Sequence, residues 1–385
     1  MSDLFDNKVD DEISVAIIDP LGPHGGMHYY THNQANALVE RGARVFVYMA
    51  ESNLANKKYE HIKLFSGVYG KQPKILSAIK LILSTIRSIL YLKINKMDWA
   101  IYHVFKGDIF ELIFFLLCRC FHIKTVCIVH DVERLDVEIS RDLLSHILRL
   151  SNVIVAHNLW SKDIIERRFP KLSTSISICH HGNYIEDYPG EYDRDVARNN
   201  LGLPLKKKII LFFGNPRLAK GLSILLESMN DQNLEDVLLV IAGRMKEPLR
   251  SEIEEQIDRL NLRDRIIMFP DRVSDEDLPR FFSAANLIVL PYIRVYESGV
   301  ALMGMSLKRA VLASDLVPFR DLIREGVTGY LFRSSDIVNL RESLRRILEN
   351  TDQFLDEIGM SGHVFVKENR GWNNSAENLL HALRH

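Results

Sequence analysis

Short apolar runs alternate with helix-length segments along most of this chain, and that alternation admits few folds. A strand-like run at 13–19, a helical segment from about 28 to 41 and a second run at 44–49 form a βαβ pattern. Further runs follow at 99–105, 124–130, 152–156 and 175–180, each separated by a helical segment. Strands joined through helices are expected to be parallel, because each return to the same edge of a sheet needs a crossover. The pattern lapses from Asn183 to Leu205, where Tyr, Pro, Gly and Asp follow in quick succession. It restarts with runs near 208–214, 237–242, 265–269, 287–291 and 310–314, and from about 335 the chain reads as mostly helical. The expectation is an α/β chain of two Rossmann-like domains facing a cleft, residues 1–183 and 184–385, the terminal helix being able to pack back on the first domain. Length agrees, since 385 residues exceed what one ordinary core encloses.

Charge narrows the class. A formal net charge of −1, with 26% charged residues, gives no global pull towards nucleic acid, so any basic surface is local. The acidic, polar start Met1-Ser-Asp-Leu-Phe-Asp lacks the basic and apolar regions of a secretory signal, which predicts a cytoplasmic protein. Cys118, Cys120, Cys127 and Cys179 lie in apolar segments without metal-ligand spacing and are read as reduced core or boundary residues.

No window reaches the ~18 to 20 uninterrupted apolar residues of a membrane span, and the run at 109–118 is broken by Glu111. In residues 75–94, Ile75, Ile79, Ile82, Ile86 and Ile89 recur at helical spacing, while Ser77, Lys80, Ser84, Arg87 and Tyr91 mark another face. Leu76, Leu83, Leu90 and Leu92 widen the apolar arc, and Lys71, Lys74, Lys93 and Lys96 stand near its ends. Two readings stay open: a core helix with solvated lysines, or a basic helix lying on an anionic membrane surface, peripheral on the cytoplasmic face.

The chemistry-bearing residues cluster at strand ends. Residues 211–221, Leu-Phe-Phe-Gly-Asn-Pro-Arg-Leu-Ala-Lys-Gly, place a tight Gly214 turn and two cations, Arg217 and Lys220, at the mouth of a helix. Unpaired amides and the positive end of a helix, with two cations beside them, suit a diphosphate. The same pattern also serves α/β proteins with no ligand, so a second element matters. It is supplied by Ala284 to Tyr292 as a buried strand, a loop through Glu297, and a helix starting near Ser298, whose Ser298, Gly299 and Val300 amides would face an anion. A plain helix cap by Ser298 is the alternative. At the end of the first strand, Gly25 and Gly26 allow a ligand close to the backbone, or form an ordinary tight turn. His130, followed by Asp131, ends another strand, where it is either buried and bonded to backbone or placed to meet a ligand. His157, His180 and His181 also stand beside strand ends, either shaping the interdomain turn or touching ligand. No histidine pair has a convincing metal spacing and no Asp-x-Asp cluster stands at a strand end, so no metal or cofactor is expected.

Taken together, Phe-Phe-Gly214, Arg217, Lys220-Gly221, Ile-Ala-Gly243, Leu-Pro-Tyr292, Ser298-Gly299-Val300 and Glu325-Gly-Val-Thr-Gly-Tyr330 resemble the C-terminal domain of GT-B glycosyltransferases, especially glycosyltransferase family four. The first half is similar too, through Gly25-Gly26-Met-His-Tyr-Tyr, Val129-His130-Asp131 and His181-Gly182-Asn183-Tyr184, so the resemblance covers nearly the whole chain. The His-Gly-Asn-Tyr element is like that of bacterial transferases that build surface or extracellular polysaccharide, some of them mannosyltransferases. The resemblance implies a GDP- or UDP-sugar held mainly by the C-terminal domain without a metal, Arg217 and Lys220 lying on the diphosphate. It further implies a saccharide or lipid-linked saccharide acceptor on the N-terminal domain, with His130 and Glu297 as the catalytic side chains. The chain departs from the family at one place. Two glutamates eight positions apart are expected; one alignment puts Val295 and Met303 there, and anchoring on Glu297 puts Met305 at the second. A methionine is a poor acceptor for a ribose hydroxyl, so nucleotide recognition differs locally. A non-hydrolysing sugar-nucleotide 2-epimerase and a noncatalytic nucleotide-sugar-binding partner are the alternative functions.

Overall fold

The computed structural model describes residues 12–22, 27–51, 54–68, 73–105, 107–133, 143–190 and 192–385. The chain forms two compact units. The first comprises Met1–Gly182 with Trp372–His385, and the second Asn183–Gly371.

The first unit runs β1 (Ser14–Asp19), α1 (Met27–Glu40), β2 (Arg44–Met49), β3 (Glu60–Lys63), α2 (Lys74–Ile94), β4 (Trp99–Val104), α3 (Ile109–Cys120), β5 (Lys124–Val129), α4 (Leu144–Leu150), β6 (Val153–Ala156), α5 (Leu159–Arg168) and β7 (Ile176–Ile178). Its seven strands are all parallel, in the order β3-β2-β1-β4-β5-β6-β7. Strands covered on both faces can be continuously apolar, and β1 and β4 are buried at every position. Helix starts follow their capping chemistry. Glu111, which interrupts the apolar run at 109–118, closes a capping box with Asp108 at the start of α3.

The second unit continues α6 (Arg194–Leu201), β8 (Lys208–Phe213), α7 (Leu222–Met229), β9 (Val237–Ala242), α8 (Leu249–Arg259), β10 (Ile266–Phe269), α9 (Leu278–Ala284), β11 (Leu287–Leu290), α10 (Gly299–Ser306), β12 (Ala310–Ser314), α11 (Val317–Arg320), β13 (Tyr330–Phe332), α12 (Ile337–Leu348) and α13 (Asp352–Asn369). Its six parallel strands are ordered β10-β9-β8-β11-β12-β13. Within the segment read from sequence as a connection, α6 is a full member of this unit. Asp193 caps it, Gly202 ends it in the left-handed region, and the buried Arg198 donates to Ala284 O at 2.9 Å and Asn286 Oδ1 at 2.8 Å.

The last helix, α14 (Trp372–Arg384), belongs to the first unit, where Ala376, Leu379, Leu380 and Leu383 join the core of β1, β2, β4, β5 and β6.

Helix α2 inverts the usual pattern. It buries Ser84, Thr85 and Ser88 with Ile89 and Leu92, and exposes Ile75, Leu76, Ile79, Leu83, Ile86, Leu90 and Ile94. The buried hydroxyls are satisfied locally: Ser84 donates to Leu64 O, Thr85 to Leu81 O and Ser88 to Thr85 O. By length and composition this helix could cross a membrane, although Lys80 and Arg87 interrupt its apolar run. Its buried serine face makes it a constituent of the first unit.

Candidate functional site

Each sheet reverses its strand order once, between β1 and β4 in the first unit and between β8 and β11 in the second. In open α/β sheets, ligands bind beyond the carboxyl ends of the strands at such switch points.

At the second unit's switch point the floor is bare backbone. Gly214 follows β8 at φ +94° and its N–H donates to Ala242 O at 2.8 Å, while Gly243 follows β9 at φ +140° and donates to Phe269 O at 3.0 Å. A Cβ at Gly243 would come within 2.6 Å of the Gly214 carbonyl, and one at Gly214 would lie 2.7 Å from the Lys220 Nζ. Only glycine fits either place. Arg217 and Lys220 stand just before α7, at its mouth. Arg217 caps a single 3₁₀ turn, Leu218–Lys220, and Gly221 at φ +63° redirects the chain into α7. A Cβ at Gly221 would lie 1.9 Å from Pro291 O. Ala219 O accepts from Ile293 N at 2.8 Å, joining the loops after β8 and β11. The Lys220 ammonium thus sits above the glycine floor, 5.6 Å from the Tyr292 ring centroid, and Arg217 is exposed.

The start of α10 completes this site. Ser298 is the cap, its Oγ accepting from Ala301 N at 3.2 Å, and the Leu302 N–H bonds Ser298 O, so Gly299 and Val300 hold first-turn amides without intrahelical acceptors. Capping and anion binding are therefore compatible here, the cap using one amide and leaving two at the terminus. Glu297, half-buried, accepts from Ser298 N at 3.3 Å. A Cβ at Gly299 would lie 3.0 Å from the Tyr184 hydroxyl, whose ionisation burial makes harder, with Asp187 and Glu297 adding to the effect. Of the residues at the missing glutamate positions, Val295 and Met303 are buried and Met305 is fully so, its side chain lying beside Gly362 of α13.

In the first unit, Gly25 and Gly26 lie outside the described residues. At the end of β1 the buried Asp19 accepts from Leu21 N at 3.0 Å, Gly22 N at 2.9 Å and Thr31 Oγ at 2.9 Å. Burial raises its carboxyl pKa, and those three bonds oppose the rise. His130 stands at the end of β5 inside a cluster of imidazoles. Its Nε2 is 2.9 Å from His103 Nδ1, its Nδ1 is 3.3 Å from His157 Nε2, and Phe105 stacks on it with centroids 4.3 Å apart. Tyr30 presents a tilted or edge-on ring to His103, His130, His157 and His181. Burial holds all four imidazoles neutral, lowering His103 and His181 to about 3, His157 to about 4 and His130 well below its ordinary value.

The sequence reading left His130 either facing ligand or bonded to backbone. Both of its nitrogens are engaged by other imidazoles. His103 was missed, although a signal existed: His103, His130 and His157 recur every 27 residues, one at the end of each of three neighbouring strands. His180 and His181 bond backbone, through His157 O at 2.9 Å and Gly182 O at 2.7 Å. Among the described residues, no group of three or more His, Cys, Asp or Glu has an arrangement that could hold a metal ion.

Residues 193–360 match the family of glycosyl transferases group 1. That match covers most of the second unit. The fold of the chain is that of GT-B enzymes. It superposes on sucrose-phosphate synthase from Thermosynechococcus elongatus with a TM-score of 0.78 and 18% identity, covering 97% of this chain and 98% of that one. On Anabaena HepE, solved with UDP and glucose, the TM-score is 0.75 at 16% identity, covering 97% and 100%. By sequence it is 27% identical over 240 residues to a lipopolysaccharide core biosynthesis mannosyltransferase of Rhizobium meliloti, which is 57% of this chain and 66% of that protein. It is 31% identical over 156 residues to a phosphatidyl-myo-inositol mannosyltransferase of Mycobacterium leprae, 39% of each. The matches therefore span from two fifths to just under two thirds of these relatives' lengths.

Proposed function

We propose that this protein is a glycosyltransferase that moves a sugar from a UDP- or GDP-sugar to a hydroxyl of a saccharide acceptor. The observation that carries the reading is the Lys220 ammonium poised over the glycine floor of Gly214 and Gly243 at a sheet's switch point. In this reading, Arg217, Lys220 and the first-turn amides of α10 at Gly299 and Val300 bind the diphosphate and stabilise its charge as it departs, without a metal. Glu297 meets the donor sugar. Ribose recognition does not use the 303 or 305 position, where the buried methionines offer only weak sulfur acceptors.

The acceptor belongs to the first unit, in keeping with the polysaccharide context of the Rhizobium relative. The exposed isoleucines and leucines of α2, with Lys74, Lys80, Arg87 and Lys93 along it, support docking on an anionic membrane and hence a lipid-linked acceptor on its cytoplasmic face.

The test is calorimetric binding of UDP and GDP to the wild-type chain and to Arg217→Ala, without added metal. Binding of one nucleotide with at least about tenfold loss in the variant, ~1.4 kcal/mol, supports the site, and no binding of either removes it. Conversion of a nucleotide sugar with no acceptor present would instead identify a 2-epimerase.

A further inference from the structure

The two arms of the site in the second unit come from separate elements. Lys220 belongs to the loop after β8, whereas the Gly299 and Val300 amides belong to the first turn of α10. A diphosphate meets both at once only if their separation is fixed, and an ammonium on a flexible four-carbon stem is hard to fix. One side chain, Tyr292, reaches both arms. The Lys220 ammonium stands over its ring, 5.6 Å from the centroid, and its hydroxyl shares a hydrogen bond with the side chain of Ser298, the cap of α10. The quadrupole of an aromatic face holds a cation placed over it.

Tyr292 is anchored well enough to serve as that support. It is 5% exposed, its carbonyl oxygen accepts from Ser314 Oγ at 2.7 Å, and its ring packs against Phe319 with centroids 5.5 Å apart. Ser314 ends β12 and Phe319 lies in α11, so two elements beyond β11 hold the residue in place. Burial raises the pKa of the Tyr292 phenol, while the Ser298 bond and the charge of Arg217 oppose the rise, so the phenol stays neutral. A neutral ring steadies an ammonium without cancelling its charge, which a carboxylate in the same place would do.

We propose that Tyr292 is a positioning residue of the diphosphate site, its ring holding the Lys220 ammonium over the glycine floor and its hydroxyl holding the Ser298 cap, so that cation and helix amides are set before the ligand arrives. Freedom already removed from a site is not lost again on binding, and affinity gains by that amount. The role rests on the nucleotide-sugar reading of this site.

The test is a set of double-mutant cycles on the full chain, read by calorimetric binding of UDP and GDP. Tyr292→Leu removes ring and hydroxyl and should weaken the nucleotide that binds by at least about tenfold, while Tyr292→Phe keeps the ring and should weaken it only severalfold. In a Lys220→Ala background the loss from Tyr292→Leu should shrink to that from Tyr292→Phe, and in a Ser298→Ala background Tyr292→Phe should lose no further affinity. A tyrosine that only packs would cost the same in every background. The second readout needs no nucleotide. In the chain with ¹³C-labelled lysine, the Lys220 Cε signals, assigned by their loss in Lys220→Ala, should be displaced by the ring current in the wild type and in Tyr292→Phe, and return to the ordinary lysine position in Tyr292→Leu. Should the leucine variant fail to fold, the wild-type Lys220 signals decide the ring's part and the Tyr292→Phe cycle with Ser298→Ala decides the hydroxyl's. Equal losses in all backgrounds, or undisplaced Lys220 signals in the wild type, would overturn the proposal. Nucleotide binding with additive losses removes the role of Tyr292 alone, whereas a wild type that binds neither nucleotide removes the donor site and this role with it.

Discussion

The two switch points are topologically alike and chemically opposite. Both sheets order their first six strands identically, counting from each unit's own start, and both place the candidate site where that order reverses. In the second unit the walls are glycine backbone, helix amides and two cations, so the local field is positive. In the first, among the described residues, they are the buried carboxyl of Asp19 and a row of neutral imidazoles, and no cation stands among them. One fold can therefore carry two different sets of groups at its switch points, because the strand ends leave side-chain choice free, while the core beneath dictates only apolarity.

The comparison breaks first where backbone is the material. Gly221→Ala should cost about 3 kcal/mol or more and abolish nucleotide binding, because its Cβ meets Pro291 O at 1.9 Å and its φ is +63°. Denaturant titration with nucleotide calorimetry reads both, and a stable variant that binds nucleotide would show that backbone closeness is not required. Next in size, Lys220→Ala should lower kcat by about 10² to 10³ with the fold intact, the cost of losing one group that stabilises leaving-group charge. An unchanged kcat would assign Lys220 to packing on Tyr292.

Acid should separate the units. Unfolded histidines titrate near 6.5, but His103, His157 and His181 stay neutral in the fold down to about 4 or 3. Below pH 6.5 the unfolded state therefore takes up protons that the folded state refuses, so stability falls progressively from pH 6.5 towards 4. Thermal melts at pH 5 and 7.5 should show this for the first unit, with a smaller drop in His103→Phe. A melt insensitive to pH over that range would deny the neutral cluster. A smaller effect is expected from Ser298→Ala, about 1 kcal/mol of stability through the lost cap. Smallest of all is Ile79→Gln on the exposed face of α2, which should change stability by no more than about 0.5 kcal/mol while weakening association with anionic vesicles. A large stability loss there would mean that the face is packed rather than presented.

Much of this was legible in the sequence because buried parallel strands are nearly pure apolar runs. The ends of β1, β2, β4, β5, β8, β9 and β11 fall within a residue or two of where those runs stop. Two short strands were not seen: β3, a sheet-edge strand whose four residues hold one apolar side chain, Ile62, and β13, whose three residues give no periodicity. Helix α6 was taken for a linker because only Ala197 and Arg198 are buried, leaving its charged face to dominate the pattern. The glycine and cation pattern of the donor site was visible since positive-φ turns demand glycine. The histidine row was not, because hydrogen bonds between successive strand ends depend on register. Only the 27-residue recurrence hints at them.

The cysteines have a practical use. Cys118, Cys127 and Cys179 are buried, and burial raises all three thiols, Cys179 to about 12, whereas Cys120 at the end of α3 is exposed. All four lie in the first unit. A thiol reagent should therefore tag the native chain once, at Cys120, and each further tag would time an opening of that unit's interior, giving its breathing a clock independent of the other half.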